Sequence, residues 1–512
     1  RSGARLDRPV ARGATDDAPP LPAVSNTRDK KARHAWRENI EALTVAIVMA
    51  VMLKYFAVEA YQIPTGSMQP TLMGQEFRDR EGTAGAIKDR ILVDKLSFHM
   101  RDPERWEVVI FKYPLNRAQN FVKRLVGMPG EHFRVLYGDL WRRSNANEPW
   151  EILRRPANVQ RDQWKALDLG EPVGGVHWKV ESARTDVVRA DGRNVDASGA
   201  ALLRFAAHGG GPILDTYNHG YPLGMQEAMA RYPEFHSSNE HTVGDLRVSG
   251  TIRASAQLAT LALVITEGQR VYRFEVPGPA AAEARASIAV QWAKNETAYA
   301  PIDVKHDTTK LEVGEALEFS AENLDDALTL TIGDERFSVD IQAAPDSSAS
   351  VAIELVGGGA QLADLQVWRD IYYTEGRMTS EWMIPAGCYF MMGDNTQDSS
   401  DSREWRVIRL KWKGSPTGEA VVGNYREAAR PGVYRADSNP IREQTEDGLT
   451  TFFRDVFGEL HVFRTADETA LPPAESTDAA PFVPRNLITG RALAVFWPFS
   501  FDYATYRLKW VH

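Results

Sequence analysis

Ser67 lies in the stretch Gln-Ile-Pro-Thr-Gly-Ser-Met-Gln-Pro-Thr-Leu, residues 62–72. Pro64 and Pro70 fix the backbone on either side of it, and Gly66 lets the chain approach a neighbour closely. A serine held in this way can act as a nucleophile if a base takes its proton. Histidine is the usual partner, and lysine serves in Ser-Lys pairs. The eleven histidines are scattered, and none has a setting that suggests a triad. Lys123 is placed differently. It sits in Phe-Val-Lys-Arg-Leu-Val-Gly-Met-Pro-Gly-Glu, residues 121–131, between a β-type apolar run and a turn. Apolar surroundings pull a lysine down from ~10.4 toward the ~7–8 that suits a general base. Taken singly, each residue has a plainer reading: Ser67 as part of a turn, Lys123 as a strand residue whose amine reaches solvent.

The elements that must carry these residues follow from the rest of the chain. At 512 residues, 43% hydrophobic and 25% charged, it has material for more than one core. A net charge of -9 argues against nucleic acid as a partner, because phosphate binding needs a strongly basic face. A single cysteine, Cys388, excludes an intrachain disulfide and a cysteine-based zinc site. Residues 1–37 are rich in Arg, Asp, Pro and Ala, the composition of a disordered tail. The apolar run Ala42–Val58 is broken only by Thr44 and Lys54 and would span roughly 25 Å as a helix, slightly short of a ~30 Å hydrocarbon core. Arg28, Lys30, Lys31, Arg33 and Arg37 precede it, and no Lys or Arg stands between Lys54 and Arg78. That asymmetry predicts one transmembrane helix over 38–60, with the N-terminus cytoplasmic and everything after it outside.

The two chemical stretches belong to a longer series. With Asp-Arg-Ile-Leu-Val-Asp-Lys-Leu-Ser-Phe at 89–98, Gly-Cys-Tyr-Phe-Met-Met-Gly-Asp-Asn-Thr-Gln-Asp-Ser-Ser-Asp-Ser-Arg-Glu-Trp at 387–405 and Leu-Ile-Thr-Gly-Arg-Ala-Leu-Ala-Val-Phe-Trp-Pro at 487–498, they resemble the type I signal peptidase family in order and wording. The resemblance covers the anchor and about 130 residues of catalytic core, well under half of the chain. It implies a mostly β catalytic domain on the outer face of the cytoplasmic membrane that cleaves leader peptides from exported precursors after small residues, in the Ala-x-Ala manner. It implies Ser67 as nucleophile, Lys123 as general base, and Thr65 with the Ser67 backbone N–H as oxyanion donors. Ser399 would orient the lysine, and Asp394, Asp401, Arg403 and Arg124 would be charged supports. Ile63, Pro64, Met68, Leu72 and Val122 would line the substrate cleft, each with ordinary core packing as its plainer role. No cofactor or metal is implied, and the partners are precursor proteins and the lipid bilayer.

The sequence departs from the family in three places. After Gly-Asp-Asn the family usually continues Arg-Asp-Asn-Ser, whereas here Thr396-Gln397-Asp398-Ser399 follows, so a positive charge that would help hold Asp394 is missing. Trp405 is followed by Arg406 instead of glycine, and a second insertion over 406–481 carries short-strand patterns with a Pro/Ala/Ser-rich stretch near 470–480. The largest departure is 138–373. Its period-2 runs, such as Leu328, Leu330 and Ile332, and the pair of strands joined near Glu267-Gly268, predict an inserted β-sandwich, loosely similar to laminin-G and concanavalin-like jelly rolls. Such a domain is a candidate for a glycan or protein ligand. Asp325, Asp326 and Asp334 read as solvated turn carboxylates in preference to calcium ligands. The expected fold is therefore mainly β, with core segments 61–137, 374–405 and 482–512 around the two insertions. The competing functional readings are a self-cleaving Ser-Lys peptidase, for which a DNA-binding head is missing from the sequence, and a membrane-anchored scaffold in which the sandwich binds and the peptidase core is degenerate.

Overall fold

A computed structural model describes residues 27–512 apart from 53–56, 75, 79–83, 87, 168–176, 182–187, 208–210, 217–239, 293–301, 427–436, 472–476, 498 and 501–504. Residues 1–26 of the expected tail lie outside the described residues. The chain divides into two compact units, one up to Ala57 and one over Val58–His512.

The first unit is a helix, α1, over Thr27–Met52. It starts inside the stretch expected as tail, because Lys, Arg, Ala and Glu are strong helix formers and Arg37 pairs with Glu41 one turn on at 2.8 Å. Part of the expected span over 38–60, residues 53–56, lies outside the described residues. α1 is described as far as Met52, and Val58 belongs to a strand. Among the described residues no helix is long and apolar enough to cross a membrane. Leu43, Val45, Ile47, Val48, Met49 and Val51 of α1 are all exposed.

The second unit is mainly β. Its core sheet has eight strands: β1 (Val58–Gln62), β2 (Arg90–Asp94), β3 (Val108–Tyr113), β4 (Asn116–Gly127), β5 (Cys388–Met392), β6 (Phe482–Pro484), β7 (Ile488–Trp497) and β8 (Lys509–Trp510). They are ordered β1-β2-β7-β3-β4-β5-β6, with β8 on β7. Both faces are covered. Phe111, Leu125, Met391 and Trp405 pack on one side, and Val126, Phe133, Phe390 and Met392 on the other. Adjacent residues of β5 thus serve opposite cores, as the two-residue strand period requires. Each large apolar side chain so buried contributes roughly 1.5–3 kcal/mol.

Between β4 and β5 the chain builds a two-sheet sandwich. One sheet runs 188–191, 194–197, 360–369, 246–254, 316–324, 327–332, 335–340, with Lys165–Ala166 paired to 360–369. The other runs 178–180, 201–205, 349–356, 260–267, 270–277, 285–292, 303–307. The strands alternate buried and partly exposed residues, and the inward side chains of both sheets, among them Leu263, Phe274, Leu330, Ile353 and Val367, form one continuous core. Thr260–Glu267 and Arg270–Pro277 form the hairpin expected at Glu267-Gly268, with Gly268 at φ 57° in its turn. Residues 406–481 fold onto the core as two small sheets, one around Arg406–Trp412 and one of Ile441–Thr445, Gly448–Arg454 and Leu460–Arg464.

Candidate active site

Ser67 lies in the turn that leaves β1. The turn closes through Gln69 N–H donating to Gly66 O at 3.0 Å and Leu72 N–H donating to Met68 O at 2.8 Å. Its position depends on residues far away in sequence. Asn395 donates from its side chain to Gly66 O at 3.0 Å and from its backbone to Ser67 O at 3.2 Å. Gly393 packs so closely beneath that a Cβ there would lie 2.3 Å from Ser67 O and 2.2 Å from Ser399 Oγ. From the other side, Met73 N–H donates to Asp89 Oδ2 at 2.8 Å. Arg507 pairs with Asp89 at 2.8 Å and donates to the carbonyls of Pro70 and Thr71, both at 3.1 Å. Gly74 is required at its position, because a Cβ would meet Thr65 O at 2.4 Å.

β4 brings the lysine. Lys123 is opposite Val109 of β3 and lies on the strand face of Phe121 and Leu125, while Arg124 points to the opposite face. Lys123 is buried, with 3% of its surface exposed. Its Nζ is hydrogen-bonded to Ser67 Oγ and lies 5.5 Å from the centroid of the Phe121 ring. Burial pulls its pKa down to about 8, against the opposing pull of the Asp401 and Asp394 carboxylates. A buried amine near neutrality, in contact with a hydroxyl, can take that hydroxyl's proton.

The charged residues form two buried pairs. Arg124 holds Asp394 through two bonds of 2.8 Å and also donates to the carbonyls of Trp106 and His512, at 2.6 and 2.7 Å. Asp394 is driven down to about 2 because the Arg124 guanidinium outweighs its burial. Arg403 holds Asp401 at 2.7 and 2.9 Å, and Asp401 accepts from Gly393 N–H at 3.0 Å, so this pair fixes the segment on which Ser67 rests.

The remaining expected residues divide. Thr65 is exposed beside Ser67. Ser399 is next to Gly393 and Ser67, but its buried Oγ has no hydrogen-bond partner among the described residues, Lys123 included, so the expected bond to the lysine is not formed. Ile63, Met68 and Leu72 expose 3%, 1% and 0% and pack with Ile91, Val93 and Ile110 in the core, whereas Pro64 is exposed and Val122 half-buried. The expectation for the insert's acidic turn needs correction. Asp325 and Asp326 are buried, not solvated: Asp139, Asp245 and Arg155 gather around Asp325, with Arg155 3.6 Å away, and Glu267 and Arg270 are the leading charges acting on Asp326. Burial raises Asp325 to about 6 and Asp326 to about 7.

Sequence reasoning missed Asn395, Asp89 and Arg507 as holders of the serine turn. Asn395 and Asp89 lay inside stretches already singled out, but their partners are set by the fold. Arg507 had no local signal at all.

Two segments, residues 36–148 and 348–426, match the family model described as signal peptidase, peptidase S26. A probable signal peptidase I-2 of Synechocystis sp. is 32% identical over 124 residues, covering 23% of this chain and 50% of that protein. The signal peptidase I of Leptolyngbya laminosa is 32% identical over 133 residues, 24% of this chain and 57% of that one. The signal peptidase I of Pseudomonas aeruginosa is 38% identical over 88 residues, 17% of this chain and 31% of that one. The chain spans about half the length, or less, of these curated relatives. Among solved structures, it is similar to the carbohydrate binding module CBM66 from Bacillus subtilis, at 9% identity and a TM-score of 0.24 over 38% of this chain and 95% of that one. The corresponding values for the Bacillus licheniformis β-glucanase are 6%, 0.26, 41% and 98%.

Proposed function

We propose that this chain is a serine endopeptidase that uses a Ser67–Lys123 dyad to cleave N-terminal signal peptides from exported precursors after small residues. The observation that carries the reading is the contact between Lys123 Nζ and Ser67 Oγ inside a buried setting. The match of residues 36–148 and 348–426 to the signal peptidase family model, and the likeness to signal peptidase I proteins, support the choice of substrate. Burying an amine costs stability, and a scaffold gains nothing from that cost, so the degenerate-core alternative is not favoured.

In the proposed reaction neutral Lys123 accepts the Ser67 proton while Oγ attacks the scissile carbonyl. The Ser67 N–H and the Thr65 hydroxyl stabilise the oxyanion, which typically contributes ~10²–10³ per donor. The Lys123 ammonium then returns the proton to the leaving amine. A water, deprotonated by the same lysine, attacks the acyl carbon, and as the ester bond breaks the Lys123 ammonium gives that proton to Ser67 Oγ, restoring serine and neutral lysine. Every group required is a side chain or backbone group of this chain. We further propose that the apolar end of α1 enters the bilayer, with the basic cluster before it on the cytoplasmic side and Val58–His512 outside.

The test is incubation with an Ala-x-Ala leader precursor in liposomes, with product masses read by mass spectrometry. Cleavage directly after the second alanine by the wild type and none by Ser67→Ala supports the reading. Cleavage at unrelated sites, or equal cleavage by the variant, refutes it.

A further inference from the structure

The sandwich does not merely sit beside the core. Two of the three residues at which the Gly-Asp-Asn loop departs from the family pattern, Thr396 and Gln397, bond to it. Thr396 Oγ1 donates to Tyr372 O at 2.8 Å, and Gln397 Nε2 donates to Asp215 O at 2.6 Å. Behind the loop lies a small cavity with about 30 Å³ of free volume, lined by Pro70, Lys165, Asp215, Arg369, Asp394 and Asn395 among others. Such a space holds one or two waters. Three of its lining residues carry buried polar atoms without a hydrogen-bond partner among the described residues: Lys165 Nζ, Asp215 Oδ2 and Gln397 Oε1.

Lys165 belongs to the insert. It pairs with Arg369 on the sandwich strand 360–369 and exposes only 3% of its surface. An unpaired buried amine is costly. Of the charges around it, Asp394, Arg369, Lys509 and Asp370, the Asp394 carboxylate is the strongest attraction. Burial lowers its pKa to about 7, so it passes between ammonium and amine near neutrality, and both forms donate hydrogen bonds. Asp394 is the second residue of Gly393–Asn395, the segment against which Ser67 O is packed and by which Gly66 O and Ser67 O are bonded.

We propose that Lys165, supplied by the inserted sandwich, is a positioning residue of the peptidase site: lining one cavity with Asp394 and attracted to its carboxylate, it seats the Gly393–Asn395 segment and through it the nucleophile. The insert is then a working part of the active site, and Thr396 and Gln397 are its docking points. The missing family cation in the Gly-Asp-Asn loop is replaced by one from another part of the chain. This inference rests on the Ser67–Lys123 reading.

The test uses the full chain and steady-state cleavage of one leader precursor by wild type, Lys165→Met and Lys165→Arg, with thermal melts as a folding control. A displaced nucleophile costs rate more than binding, so Lys165→Met is expected to lower kcat roughly 10–100-fold with KM little changed, and Lys165→Arg to recover most of the loss. A folded Lys165→Met with wild-type kcat overturns the inference while leaving the peptidase reading intact. If Lys165→Met does not fold, the arginine variant decides: activity near wild type supports a donor facing Asp394, and a folded but inactive Lys165→Arg overturns it. A wild type that cleaves nothing overturns the peptidase reading and this inference with it.

Discussion

The rate of cleavage should follow the ionisation of Lys123, and the structure sets where. Burial holds its pKa at about 8 rather than the ordinary 10.5. Only the neutral amine can accept the Ser67 proton, so the chemical step should rise tenfold per pH unit below about 8 and level off above it. Between pH 6 and pH 9 the neutral fraction of a group with that pKa climbs about 90-fold, whereas an ordinary lysine would gain about 1,000-fold and still be rising at pH 10. The assay is single-turnover cleavage of a leader precursor, because product release then does not mask chemistry. Precursor binding is measured at each pH to remove its own dependence. A log rate that climbs with unit slope through pH 10, or is flat from pH 6, would refute the claim that burial prepares this lysine as the base.

The same depressed pKa has a stability consequence. The unfolded chain binds the Lys123 proton more tightly than the folded one, so the cost is fully present below about pH 8 and is relieved as pH rises toward 10.5. A shift of that size corresponds to roughly 3 kcal/mol. Offset by about 1 kcal/mol for the lost contact with Ser67, Lys123→Met should gain about 2 kcal/mol at neutral pH in denaturant unfolding while losing activity. Gly393→Ala would drive a Cβ into Ser67 O and Ser399 Oγ; kcat should fall about 100-fold with the fold kept, as read by kinetics alongside circular dichroism. Arg507→Met leaves Asp89 as a buried, unpaired carboxylate beneath the serine turn and should cost about 3–5 kcal/mol, measured by denaturant unfolding with cleavage followed in parallel.

Local pattern made part of this molecule legible. Ser67 between two prolines and Lys123 in an apolar strand announce unusual environments within a few residues, and the hairpin at Glu267-Gly268 declares itself by its two-residue period and its glycine. What the sequence did not reveal is set by long-range closure. Asn395 reaches Gly66 across more than three hundred residues, Arg507 clasps Asp89 from the C-terminal end, and Lys165 comes to line one cavity with Asp394 only because the sandwich folds back on the core. Asp325 and Asp326 read as turn carboxylates and are turn residues, with φ of 47° and 57°. The burial of Asp325 depends on Asp139 and Arg155, which sequence alone does not bring to it. The apolar run after Ala42 reads as a span to residue 60, and the last three of those residues, from Val58, pair as a strand instead.

The most direct test of the Ser67–Lys123 account is single-turnover cleavage of one Ala-x-Ala precursor at about pH 8.5 by wild type, Ser67→Ala and Lys123→Met. The account predicts that each substitution alone removes at least ~10³ of the rate while precursor binding persists, because nucleophile and base act as one unit. A Lys123→Met enzyme that cleaves within tenfold of wild type would contradict it.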